Sequence, residues 1–454
     1  MKKVTINTKE LIEKYFDQAI SSITDIVKIP SVRGEKDGEF PYGKNVNDAL
    51  HYAINLAKSL GFDTYIDKEN KYGFVEYGSG DEIFAILGHL DVVPVGDITK
   101  WKTKPFEPQI MDGKLIGRGT FDDKGPTILN LYALKYLKDL KFTPDYKIRL
   151  IFGLTEETDW DSIRTYMKKE GHPALGYTPD GEFPVVYAEK GILDMDFFLE
   201  GQKFTLIGGE AYNNIADVVE YTGTDVKLIA KKLDEMKIEN IINSDTSLTV
   251  KGIAAHGSMP HKGVNAGLAA LYAIEEASAA NRSKLTKFVK DHLWQDFSFS
   301  KIFPNISDVS GDLSVNNGIM EIDSKGSRLC MNLRVPVKAD KNKTLKTMEK
   351  AFAEYGLTIK EMDWEPPIFM DKESPLITNI MDVYREVTGD MKAEPLAIGG
   401  GTYARSMPNC VAFGAEFDWE NTTMHAYNEH ISLDNLKRMF EIYAKAIPLL
   451  TIKK

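Results

Sequence analysis

Cysteine is nearly absent from this chain. Cys330 and Cys410 are the only two in 454 residues, and they form no Cys-x-x-Cys pair. That spacing argues against a disulfide framework and fits two structural thiols in a reducing compartment. Long apolar runs are missing too. The longest mostly apolar stretch, VNAGLAALYAI, falls far short of the roughly 18 residues a membrane span needs. Positive charge is in deficit, with 56 Lys and Arg against 67 Asp and Glu and a formal net charge of -11. Neither nucleic acid nor an anionic membrane is therefore expected as a partner. Lys-Lys at each end is too short a run to alter that. The opening MKKVTINTKE has a basic start with no apolar core behind it, so no secretory leader is expected. Together these absences point to a cytoplasmic protein.

What remains is an ordinary globular composition on a chain too long for one core to keep growing, so two or three domains are expected. Asn7 followed by Glu10 is a capping-box pattern, and Leu11, Ile12, Tyr15, Phe16, Ala19, Ile23, Ile26 and Val27 then share one helical face. A second helix is expected over 45–60, stopped by Gly61. Beyond it strands and helices alternate: YGFVEY and IFAIL as strands, GPTILNLYALKYLKDL as a helix, YKIRLIFGL as a strand. That order predicts an α/β sheet covered on both faces, with sites at the carboxyl ends of its strands. After about Ala188 the texture changes to longer strands such as GILDMDFFLEG, SLTVKGIAAHGS and GIMEIDSKGSRLCMNLRVPV, interleaved with helical stretches. We expect a discontinuous first domain, 1–188 and 374–454, with an α+β insertion over 189–373.

Several acids and histidines fall where strands or turns should end. They are His89 and Asp91 in ILGHLDVVP, Asp122 in GRGTFDDKG, Glu156 and Glu157 in GLTEETDWDS, Asp180 in YTPDGEF, and His425 in TMHAYNEH. Taken singly each has a plain explanation. Asp122 or Asp123 could cap the helix that follows, Glu156 and Glu157 could be a solvated pair, and His425 could be a buried polar residue. Taken together, two histidines and three carboxylates suffice for two metal ions if one carboxylate bridges them. Cysteine takes no part, which disfavours a structural zinc site. Gly117, Gly119 and Gly125 would allow tight turns around Asp122.

The ordered motifs GHLDVVP, GRGTFDDKG, TEET, PDGEFP and MHAYNEH resemble those of the co-catalytic metallopeptidases related to aminoacylases and glutamate carboxypeptidases. PDGEFPVVYAEKG, GGGTYAR and the length of the insertion are similar to the bacterial PepV-type (Xaa-His, carnosinase-like) dipeptidases. The resemblance runs from the first helix to the last fifty residues. It implies an α/β fold: a mixed-sheet, di-zinc exopeptidase-like catalytic domain carrying an inserted α+β lid domain. It also implies two divalent ions, zinc first with cobalt or manganese as alternatives. His89 and Asp180 would hold one, Glu157 and His425 the other, and Asp122 would bridge them. Asp91 would orient His89, and Glu156 would be the general base. His430 stands where relatives commonly carry an aromatic residue; His425 is preferred as the ligand because the family's histidine precedes the Asn-Glu pair.

In the inserted region the resemblance gives His256, expected at a strand end, the oxyanion-stabilising role, and leaves His261 at the surface. Asn213 matches a substrate-contacting asparagine, although Asn214 and Ala216 depart from the usual continuation. Arg334 would meet the substrate carboxylate with its planar fork, although a strand arginine in a surface ion pair explains it equally well if the family is ignored. Gly400, Gly401 and Thr402 would lie near the same carboxylate. The expected activity is hydrolysis of dipeptides with a free amino end, through a water activated by the metals. N-acyl amino acid hydrolysis on the same fold is the first alternative, and an inactive binding protein on a peptidase scaffold the second. A monomer is expected, with a homodimer as the alternative.

Overall fold

The computed structural model describes residues 5–418 and 421–453. The basic start at residues 1–4 and the last lysine of the terminal pair lie outside the described residues. The chain divides into two compact units, one comprising Met1–Tyr187, Met370–Leu396 and Thr402–Lys454, the other Ala188–Phe369 with Ala397–Gly401. The last of these pieces was expected in the first unit. It belongs to the second because the Lys190 backbone N–H donates to Ile398 O at 3.1 Å and Arg334 Nη1 to Gly399 O at 3.4 Å. Among the described residues no helix is long and apolar enough to cross a membrane, and both cysteines are buried.

The first unit is built on a mixed sheet. Its strands run in the order Asp63–Ile66, Gly73–Tyr77, Lys147–Gly153, Ile83–His89, Leu175–Thr178, Cys410–Ala412, with Val186 paired to Ala412. From Lys147–Gly153 to Cys410–Ala412 neighbouring strands are parallel; the two at the far edge are antiparallel. Successive side chains of a strand point to opposite faces. Phe84 through His89 are all buried, as are Ile148 through Gly153, so both faces of the sheet centre are covered.

One cover is the helix Lys124–Asp139, which packs on the Ile83–His89 strand and against Leu433–Leu450 and Asp17–Val27. It is buried almost all round, as a core helix must be. Gly88 makes that approach possible. A Cβ there would stand 1.9 Å from Thr127 Oγ1 on the helix. The first helix, read as one element, contains a π-helical turn, Ile12–Phe16, between Thr8–Leu11 and Asp17–Val27.

The second unit is an eight-stranded antiparallel sheet, ordered Glu239–Ser244, Ser247–Lys251, Val218–Thr222, Thr205–Gly208, Ser314–Ile322, Ser327–Val335, Gly191–Leu199, Thr358–Glu365. Its inner face joins the helices Val226–Glu235, Ala266–Ala277, Lys284–His292 and Lys341–Phe352 in one apolar core that includes Phe197, Leu271, Phe288 and Phe352. This is the α+β texture that the sequence pattern implied.

Candidate metal centre

Three adjacent parallel strands deliver side chains at their carboxyl ends, the usual place for a site in such a sheet. His89 is the last residue of its strand, Glu156 and Glu157 follow the Lys147–Gly153 strand, and Asp180 follows Leu175–Thr178. Asp122 comes from the loop before the buried helix, and His425 from the loop before the strand His430–Ser432. All six belong to the first unit.

Asp122 lies between the two imidazoles, one oxygen toward each. His89 Nε2 is 3.0 Å from Asp122 Oδ1, and His425 Nε2 is 2.9 Å from Asp122 Oδ2. His425 Nε2 is also 3.1 Å from Glu157 Oε2, while His89 Nε2 is 3.6 Å from Asp180 Oδ2. Potential ligand atoms of His89, Glu156 and Asp180 lie within 4.8 Å of one another, as do those of His89, Asp122 and Glu157. His430 points elsewhere: its Nδ1 hydrogen-bonds Asn428 O at 2.9 Å, and its backbone pairs with Ile116.

His89 Nδ1 is 3.0 Å from the backbone oxygen of Asp91. A carbonyl only accepts, so Nδ1 carries a proton and Nε2 is the atom presented to the carboxylates. The Asp91 side chain does more than face the imidazole, which it meets at 3.5 Å. Its two oxygens accept the backbone N–H groups of Glu156, at 3.2 Å, and Glu157, at 3.1 Å. Beside it Asp123, fully buried, accepts from the His89 N–H and from Thr127 Oγ1.

The glycines near Asp122 act for different reasons than expected. Only Gly119 has a left-handed φ, of +88°. Gly125 is required for space instead, since a Cβ there would meet Thr120 O at 2.0 Å.

The electrostatics fit bound cations. Burial pushes Glu156 well above the usual carboxylate range, and the nearby Asp180 adds to it. Burial and then Asp122 push Glu157 up to about 8. Burial would lower His89 and His425, but hydrogen bonds to Asp122 and neighbouring acids outweigh it, and His425 rises to about 11. Asp122, hydrogen-bonded by both imidazoles, stays well below its ordinary value despite burial. Asp91, Asp122, Asp123, Glu156, Glu157 and Asp180 thus crowd two histidines with too little positive charge. An oxygen-rich set with two imidazole nitrogens is the donor chemistry of divalent zinc, cobalt or manganese.

The residues expected at the substrate lie mainly in the second unit. His256 is not at a strand end, because the strand stops at Lys251; it sits in an exposed loop, bridged to Asn214. The Ser258 backbone N–H donates to His256 Nδ1 at 3.2 Å, so in the neutral ring Nε2 carries the proton. Asn213 is tied to the same loop, its carbonyl accepting from Gly257 N–H at 2.6 Å. Arg334 is buried rather than in a surface pair. Its Nε donates to Asn332 Oδ1 at 2.8 Å, Asn332 Nδ2 donates to Asp194 Oδ1 at 2.6 Å, and Gly399, next to Gly400 and Gly401, meets its Nη1. Thr402 belongs to the first unit, where its Oγ1 accepts from Ala404 N–H at 3.3 Å. His261 is exposed.

Three residues near the cluster escaped the sequence reading. Tyr403 is fully buried, its ring edge-on to His89 at 6.0 Å. Arg118 and Glu429 form a buried ion pair at 2.6 Å beneath the Asp122 loop. Only the acid of MHAYNEH offered a signal for Glu429.

Residues 85–448 match the description Peptidase family M20/M25/M40. A protein of Staphylococcus haemolyticus (strain JCSC1435), named "Putative dipeptidase", is 35% identical over 98% of this chain and 99% of its own length. Among solved structures, human carnosine dipeptidase 1 superposes with a TM-score of 0.60 at 14% identity, covering 99% of this chain and 100% of that one. Aminoacylhistidine dipeptidase from Vibrio alginolyticus superposes with a TM-score of 0.57 at 13% identity, covering 98% and 99%.

Proposed function

Because the chain belongs to peptidase family M20/M25/M40, we propose that it is a metal-dependent dipeptidase hydrolysing dipeptides that carry a free amino end. The observation that carries the reading is Asp122, offering one oxygen toward His89 and the other toward His425. His89 and Asp180 would hold one divalent ion, Glu157 and His425 a second, with Asp122 shared and zinc the first choice. Ions bound there would lower the pKa of a water and polarise the scissile carbonyl.

The chain's own groups would do the rest. Glu156 takes the proton of the attacking water on its carboxylate and returns it to the leaving nitrogen. Its backbone is fixed by Asp91, so the carboxylate is positioned before substrate arrives. His256, with its proton on Nε2, donates to the oxygen on which negative charge develops. Arg334, oriented by Asn332 and Asp194, receives the substrate carboxylate, with Asn213, Gly400, Gly401 and Thr402 as further contacts. The scarcity and burial of its two cysteines support a cytoplasmic enzyme, and by resemblance to the PepV type it works as a monomer.

One comparison tests the reading. Chelated protein is reloaded with zinc, cobalt or manganese and given a dipeptide, its amide, its one-residue extension and an N-acyl amino acid. Chelation should abolish hydrolysis and metal restore it. The dipeptide should be cleaved best, because an extra residue shifts the carboxylate roughly 3.3–3.6 Å beyond its partner. Full activity without metal, or preference for the N-acyl substrate, would overturn it.

A further inference from the structure

Glu429 is fully buried, and its two carboxylate oxygens do separate jobs. Oε1 accepts three backbone N–H groups from the loop that presents Asp122: Gly119 at 2.9 Å, Phe121 at 3.0 Å and Asp122 itself at 3.2 Å. The Glu429 carbonyl accepts a fourth, from Gly117 at 2.9 Å. Oε2 accepts from Arg118 Nη1 at 2.6 Å. Arg118 is itself buried, and its Nη2 reaches the backbone oxygens of Pro94 and His425, each at 3.4 Å. His425 has a φ of +60°, a left-handed conformation that a non-glycine residue keeps only when its surroundings hold it.

These contacts form one connected frame. The backbone of Asp122 hangs on Glu429, Glu429 holds Arg118, and Arg118 holds the backbone of His425. The separation between the Asp122 carboxylate and the His425 imidazole is set by that frame. We infer that the Arg118–Glu429 pair is a positioning element for the second ion site, fixing Asp122 against His425 without touching metal or substrate. The inference rests on the metal reading above and adds residues to it.

Two substitutions separate positioning from mere support. Glu429→Gln keeps the size and one accepting oxygen but turns an amide toward Arg118. Arg118→Lys keeps the charge but loses the fork that spans Glu429 and the two carbonyls. Full-length protein is stripped of metal, and Co²⁺ is titrated against a competing chelator while visible absorption is followed. Thermal unfolding of the stripped protein is measured alongside.

For both variants the second Co²⁺ should bind roughly 10–100-fold more weakly than in the unaltered protein, the usual cost of losing a residue that orients a metal ligand. The first ion should be held nearly as before, the absorption of the second equivalent should change, and kcat should fall more than KM rises. Variants that are folded at the assay temperature, bind both ions as tightly as the unaltered protein and keep its kcat would overturn the inference, whatever their loss of thermal stability. Should Glu429→Gln not fold, Arg118→Lys decides by the same outcomes. Unaltered protein that binds two ions but fails on dipeptides would overturn the dipeptidase reading and leave this test intact. Unaltered protein that binds fewer than two would overturn both.

Discussion

The backbone N–H of Glu156 donates to Asp91 Oδ1 at 3.2 Å, so the proposed base is held by the residue that also faces the His89 imidazole. A single buried carboxylate thereby faces the imidazole and holds the Glu156 backbone and, through its other oxygen, the Glu157 backbone, while the Asp91 carbonyl takes the hydrogen bond of the ring.

Replacing Asp91 by Ala should release both glutamate backbones and remove the acid that faces His89, while leaving the carbonyl that His89 Nδ1 bonds. Turnover should fall by about 10–100-fold with the fold retained, the range seen when residues behind a metal ligand are lost. Kinetic constants of the metal-loaded variant, with circular dichroism as the control, check this. Unchanged kcat would remove Asp91 from the working parts of the site.

Glu156 and Glu157 are adjacent but should fail differently. Glu156→Gln keeps size and should keep both ions while kcat drops by roughly 10²–10⁴-fold. Glu157→Gln should leave one ion weakly held. Elemental analysis beside kinetics separates the two, and a Glu156→Gln protein with near-normal turnover would refute its role as base.

Metal uptake should release protons. In the metal-free protein His425 is raised to about 11 and Glu157 to about 8, so at pH 7 the first is protonated and the second largely so. Both must lose their protons to coordinate a cation, so affinity should climb as pH rises from 6 toward 8 and beyond. Calorimetric titration in two buffers of different ionisation enthalpy measures the count. No proton released at pH 7 would contradict the assignment of His425.

Arg334 and His256 should separate in kinetics as they do in chemistry. Arg334→Ala removes a contact made with bound substrate and should mainly raise KM. His256→Ala removes one that strengthens as charge develops on the carbonyl oxygen, and should mainly lower kcat. Steady-state constants on one dipeptide decide it; the reverse pattern would exchange their roles.

The strand-end side chains were readable because short local patterns encode them: an apolar run followed by His-x-Asp, or by paired glutamates, says both where a strand stops and what it presents. Arg118 and Glu429 were not readable for the opposite reason. They meet across 311 residues of chain, and before folding nothing distinguishes a loop glutamate destined for burial from a solvated one. Length explains the missed strands. Asp63–Ile66 and Leu175–Thr178 have four residues each, too few to show a period, and Glu239–Ser244 is a largely exposed edge whose polar residues mask it. The loop around His256 was read as strand because its apolar residues continue the alternation past Lys251, where the backbone leaves the ladder.

The strand Cys410–Ala412 lies between Leu175–Thr178 and Val186, so the middle of the first unit's sheet is completed by residues translated more than two hundred positions later. On the ribosome the whole second unit emerges while that slot stands open and Leu175–Thr178 keeps an unsatisfied ladder edge. The carboxylates meanwhile wait for His425, which arrives later still. Synthesis therefore closes the sheet and completes the ligand set at nearly the same moment, so that a nascent chain halted before residue 410 has neither a closed sheet nor a complete set of ligands.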